Sequence, residues 1–107
     1  MGVISMAVYR PRPGRDDELR ALIRERPSIM RRLGYLTDRE HLVLQAADGT
    51  LIELSEWISS DAIDRAHGDR EVLAIWDRFD EVCEYLAPAA VGGMDAPFPI
   101  FEPQDDL

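Results

Sequence analysis

Lysine and asparagine are both missing from this chain of 107 residues, and cysteine occurs once. With Cys83 alone, an internal disulfide and a multi-cysteine zinc site are excluded, which suits a reducing compartment. Because lysine is missing, all 12 basic residues are arginine; against 21 acidic residues they leave a net charge of −9. A surface of that sign repels nucleic-acid phosphates and anionic lipid headgroups, and no basic run interleaved with aromatics breaks the pattern. Long apolar runs are also lacking, and nothing approaches the ~18 residues that a membrane helix needs. The opening "MGVISMAVYR" has no charged region followed by a long apolar stretch, so no secretory leader is expected. Met6 stands where a myristoylation signal requires Ser or Thr. These absences point to a cytoplasmic protein without nucleic-acid or membrane partners. The only two histidines, His41 and His67, have no ligand spacing around them, so no metal is expected. Without a phosphate-cradling glycine loop, no cofactor is expected either.

What is present is organised around short apolar segments. Residues 3–10, "VISMAVYR", are rich in strand-forming side chains and stop at Pro11. Asp16, Asp17 and Glu18 then suit the positive end of a helix dipole. The helix that follows sets Leu19, Leu22, Ile23, Met30 and Leu33 on one stripe, and Gly34 closes it. Pro27 predicts a break or kink near Arg26, because proline inside a helix costs about 3 kcal/mol.

"HLVLQAA" and "TLIELSEWI" flank Asp48-Gly49, a strong hairpin signal. A two-residue loop there puts Val43 opposite Leu54, Glu53 opposite Leu44, and His41 opposite Glu56. Leu44, Leu51, Glu53 and Trp57 then share one face, and Val43, Ile52 and Leu54 the other. Both faces carry apolar groups, so the sheet needs cover on two sides.

Ser59 or Ser60 caps the next helix, which runs to His67; Asp69 caps its continuation, with Val72, Ile75, Trp76, Phe79, Val82, Cys83 and Leu86 at helical spacing. That stripe directs Trp76 into the core. "YLAPAAV" reads as a short last strand. The order β-α-β-β-α-β predicts an α+β, ferredoxin-like domain over residues 1–91, with a four-stranded antiparallel sheet and both helices on one face. Residues 92–107, with Pro97, Pro99 and Pro103, read as a proline-rich arm, either disordered or laid across a neighbour. A domain this small buries roughly 60–70% of its unfolded surface, so a second copy on the bare sheet face is the expected partner.

"YRPRPG", "RRLG", "DGTLIELSEW", "SSDAIDRAH" and "EVLAIWDRF" together resemble the dimeric α+β barrel superfamily, over about residues 3–90. The branch they are most similar to is the antibiotic-biosynthesis-monooxygenase-like proteins. The resemblance implies a homodimer that holds a small apolar or aromatic ligand, with cofactor-free oxidation or isomerisation as its chemistry. Cofactor-free oxygenation in that family is associated with an Asn and a Trp, and this chain contains no Asn. Haem-degrading relatives use an Asn and a helix His, whereas "EVLAIWDRF" offers Trp76 and Asp77. A non-catalytic dimerisation or ligand-binding module of the same fold is the alternative.

His67 is the candidate base, since neutral imidazole suits proton abstraction near pH 7. Its plainer role is a helix-end side chain capping carbonyls before Gly68. Tyr9, Trp57 and Trp76 are candidate walls of a ligand pocket, or simply large pieces of a small core. Glu53, flanked by Ile52 and Leu54, completes the set; if buried, it requires an Arg from a helix or from the dimer mate. Cys83, on the apolar stripe, reads as a small hydrophobe.

Overall fold

A computed structural model describes residues 2–107. Nine residues, Val3–Pro11, form β1, and Asp16–Arg32 form α1. The hairpin comprises β2 (Leu42–Gln45) and β3 (Leu51–Trp57). Helices α2 (Ser60–Ala66) and α3 (Arg70–Val82) follow, then β4 (Cys83–Tyr85) and a two-residue β5 (Glu102–Pro103). The sheet order is β4-β1-β3-β2-β5, and every neighbouring pair is antiparallel.

The helix termini follow their local sequence. Ser59 accepts a hydrogen bond from the Ala62 amide, and Asp69 accepts one from Glu71, each satisfying an otherwise orphaned donor. Gly34 adopts φ +86° after α1, a conformation without steric cost only for glycine. At Pro27 the expected break does not occur, and α1 continues through it. Arg26, Pro27 and Met30 are all buried, so packing offsets the cost of one missing helical hydrogen bond.

The hairpin register differs from the expected one by a single residue. Leu42 faces Leu54, Val43 faces Glu53, and Leu44 faces Ile52. The Ala46 amide bonds to the Thr50 carbonyl and the Gly49 amide to the Ala46 carbonyl, with Gly49 at φ +89°. The loop is thus three residues long and ends on a left-handed glycine, a turn that Asp-Gly serves as well as the two-residue one. Because side chains alternate, the slip turns β2 over relative to β3. Val43 joins Leu51, Glu53 and Trp57 beneath the helices, while Leu44 joins Ile52 on the opposite face.

Two clusters fill the two sides. Under the helices lies the main core, with Leu19, Ile23, Met30, Leu51, Val72 and Phe79. On the other side Val8, Ala46 and Ile52 pack with Val91, helped by Met94 and Phe101. The C-terminal arm therefore returns to its own sheet. β5 adds a fifth strand beside β2, where four were expected; Arg20 bonds to Gln104, and Leu107 packs against the main core. This cover is partial, leaving Ile4, Met6 and Leu42 exposed. β4 pairs only with Tyr9–Pro11. Among the described residues, no strand lies along that edge of β1 from Val3 to Ala7, and no helix is long and apolar enough to cross a membrane.

Candidate functional site

Along that open edge of β1, between sheet and helices, lies a cavity of about 540 Å³. Four rings named from the sequence border it: Tyr9 from β1, Trp57 from the end of β3, His67 after α2, and Trp76 from α3. Each is placed by its element. Tyr9 shares its sheet face with Ser5 and Ala7, and its ring stacks on Phe79 at 5.3 Å between centroids. Trp57 is almost fully buried, and its indole N–H donates to Ser5 Oγ at 2.9 Å across the β1–β3 pair. Trp76 is only half-buried, contrary to the core position its stripe predicts, and meets the His67 ring edge-on at 4.9 Å. It sits where α3 faces the cavity instead of the sheet.

His67 is exposed, and its Nδ1 lies 2.8 Å from the Ile63 carbonyl oxygen. A carbonyl can only accept, so Nδ1 carries the proton. In the neutral ring Nε2 therefore holds the lone pair. The helix-capping role and the availability of a basic nitrogen coexist in one geometry.

Glu53 does not form part of the cavity wall. It lies behind the wall, fully enclosed, and three donors converge on it. Tyr9 Oη donates to Oε1 at 2.7 Å, His41 Nδ1 lies 2.6 Å from Oε2, and Arg26 Nη1 lies 3.4 Å from the same oxygen. The arginine that a buried Glu53 requires thus comes from α1. The expected His41–Glu56 pair does not form; Glu56 instead accepts from Thr37 and pairs with Arg39. The altered register explains the exchange, since it moves His41 to the Glu53 side.

His41 Nε2 lies 2.9 Å from the main-chain oxygen of Leu107. Both ring nitrogens thus face acceptors, an arrangement in which each must donate, so His41 is an imidazolium here. Its hydrogen bond to Glu53 raises its pKa against the opposing effect of burial. For Glu53, burial acts to raise the pKa, but His41, Arg26 and Tyr9 outweigh it and hold the carboxyl below its ordinary value. Burial, then the adjacent Glu53 charge, push the Tyr9 phenol well above its ordinary value. Tyr9 is therefore a neutral hydrogen-bond donor. Cys83 is buried, and burial pushes its thiol up to about 11, which leaves it a poor nucleophile.

Arg26 was not singled out in the sequence, yet it joins the two parts of the site. It lines the cavity, donates from Nη1 to Ser55 Oγ at 3.2 Å, and lies 5.9 Å from the Trp57 ring centroid. The available signal was its place on the apolar stripe of α1, four residues from both Leu22 and Met30. Among the described residues, no group of three or more His, Cys, Asp or Glu side chains is placed to hold a metal. Comparisons with protein-family models, curated proteins and solved structures give no match. The cavity's chemistry rests on its residues.

Proposed function

We propose that this chain is a small-molecule-binding protein of the ferredoxin-like, dimeric α+β barrel class, similar to the antibiotic-biosynthesis-monooxygenase-like proteins. Its ligand presents an apolar, aromatic ring that occupies the cavity between sheet and helices. The observation carrying this reading is the convergence of Tyr9, Trp57, His67 and Trp76 on one cavity of about 540 Å³. That volume falls in the usual range of small-molecule sites, and aromatic walls with few polar groups are their usual lining. A strand order of β4-β1-β3-β2 is compatible with the ferredoxin-like arrangement, with β5 as an addition.

A thermal-shift screen of apolar and aromatic compounds, run on wild type and Ile63→Trp, tests the reading. Ile63 lines the cavity, and an indole there fills space. Compounds that raise the melting temperature of wild type should lose their effect in the variant. Hits unaffected by the filling would place the ligand elsewhere and overturn the reading.

A second, catalytic reading is favoured by the tautomer of His67. With Nδ1 held by Ile63, Nε2 is left as a base beside the cavity, suited to proton abstraction from a ring-bearing substrate in an isomerisation or cofactor-free oxidation. For the homodimer, the exposed Ile4, Met6 and Leu42 supply an apolar strip that a second copy would cover. A cytoplasmic location completes this proposal.

A further inference from the structure

We propose that the ligand of the cavity is an aromatic anion, a ring carrying a carboxylate or a comparably charged oxygen group, and that Arg26 is the residue that reads its charge. This deepens the ligand-binding reading and rests on it. The inference begins with the hydrogens of one guanidinium. Arginine carries five N–H donors and no acceptor. Arg26 uses Nη1 for both Ser55 Oγ and Glu53 Oε2. Among the described residues, neither Nε nor Nη2 has a hydrogen-bonded protein acceptor, yet no buried side-chain nitrogen or oxygen is left unpartnered. Those two nitrogens are consequently not sealed off, although the side chain is only 7% exposed. The open space that Arg26 lines is this cavity.

Three unused donors in a planar fork match two carboxylate oxygens, the geometry in which arginine is most selective. Glu53 shares its single negative charge between Arg26 and His41, so the guanidinium keeps the capacity to take a second anion on its other nitrogens. Trp57, Trp76 and Tyr9 supply faces and edges for the ring. The acidic group on the wall, Asp80, is exposed at the rim, where water screens it. The overall charge of −9 slows the approach of an anion more than it weakens contacts inside the cavity.

Calorimetric titration of the full chain with 1-naphthoate, methyl 1-naphthoate and 1-naphthylmethylammonium tests the proposal. Wild type should bind naphthoate about tenfold or more tighter than the ester, the ratio expected for a charge-assisted hydrogen bond, and should bind the cation worst. In Arg26→Gln/Glu53→Gln, which removes both charges of the buried pair together, naphthoate and ester should bind alike. A preference for naphthoate that survives in this folded variant would overturn the role of Arg26. Equal or tighter binding of the ester or the cation to wild type would overturn the anion while leaving the cavity as a ligand site. No binding of any of the three at millimolar concentration would overturn both. Should the double variant fail to fold, the three-ligand comparison on wild type decides, and Arg26→Lys, which keeps the charge but loses the fork, should narrow the naphthoate preference.

Discussion

The Tyr9 hydroxyl and the Glu53 carboxylate meet at 2.7 Å across two neighbouring strands, both side chains almost completely enclosed. With His41 and Arg26 on its other oxygen, Glu53 anchors a charged centre under the sheet. Glu53→Leu should destabilise the fold by about 3–5 kcal/mol, because two cations lose their shared counterion. Adding Arg26→Met to Glu53→Leu should cost less than the sum of the separate changes, since the two side chains interact directly. Chemical denaturation of the four proteins gives the coupling.

Stability should depend on pH from both sides of neutrality. His41 has a raised pKa in the fold, so its contribution is complete below its unfolded value and is lost as pH rises through the folded one. Glu53 is shifted down, so its contribution is present above its unfolded value and fades as pH falls through the folded one. The melting temperature should therefore decline on the alkaline side in wild type, and this alkaline slope should flatten in His41→Gln. A melting series over pH in both proteins checks the sign.

Aromatic truncations should separate the core from the cavity wall. Phe79→Ala removes a fully buried ring stacked on Tyr9 and should cost about 3–5 kcal/mol. Trp76 is half-buried, so Trp76→Ala should cost less than half of that while reducing ligand-induced thermal shifts.

His67→Ala should leave the fold nearly intact, since the ring is exposed and what it loses is a capping hydrogen bond worth about 1 kcal/mol and the edge-on contact with Trp76. Once a substrate is found, turnover in the catalytic reading should fall by about 10²–10⁴-fold, the usual contribution of a positioned base. Steady-state rates at several pH values measure it.

The sheet face left partly bare should govern self-association. Met6→Asp or Leu42→Asp should weaken the proposed dimer without unfolding the chain, because both side chains are exposed. Leu51→Asp should unfold it, because Leu51 is fully buried under the helices. Sedimentation velocity distinguishes the two outcomes.

Much of this arrangement could be read from residue patterns. Acidic and capping residues marked both long helices, and the stripe through Val72 and Phe79 marked the buried side of α3. The hairpin was legible, but its register was not. Asp48-Gly49 fits loops of two or three residues, and that choice alone decides whether Val43 or Leu44 lies under the helices. The error then hid the His41–Glu53 contact and put Leu44 beside Leu51. Pro27 misled in the opposite direction, since local propensity cannot report the packing that holds α1 together. Arg26 was missed because a single charged residue in an apolar stripe is visible as an exception, while its partners become visible only once strands and helix are assembled.

The brevity of β4 has a kinetic consequence. Because it stops after three residues, the margin of β1 beside Ser5 and Ala7 stays unzipped, and the cavity meets solvent there without displacement of any helix. Guest exchange should consequently be ungated, with residence time set by the contacts a guest makes inside. A tight binder would have to earn its slow departure through those contacts, not through a closing door.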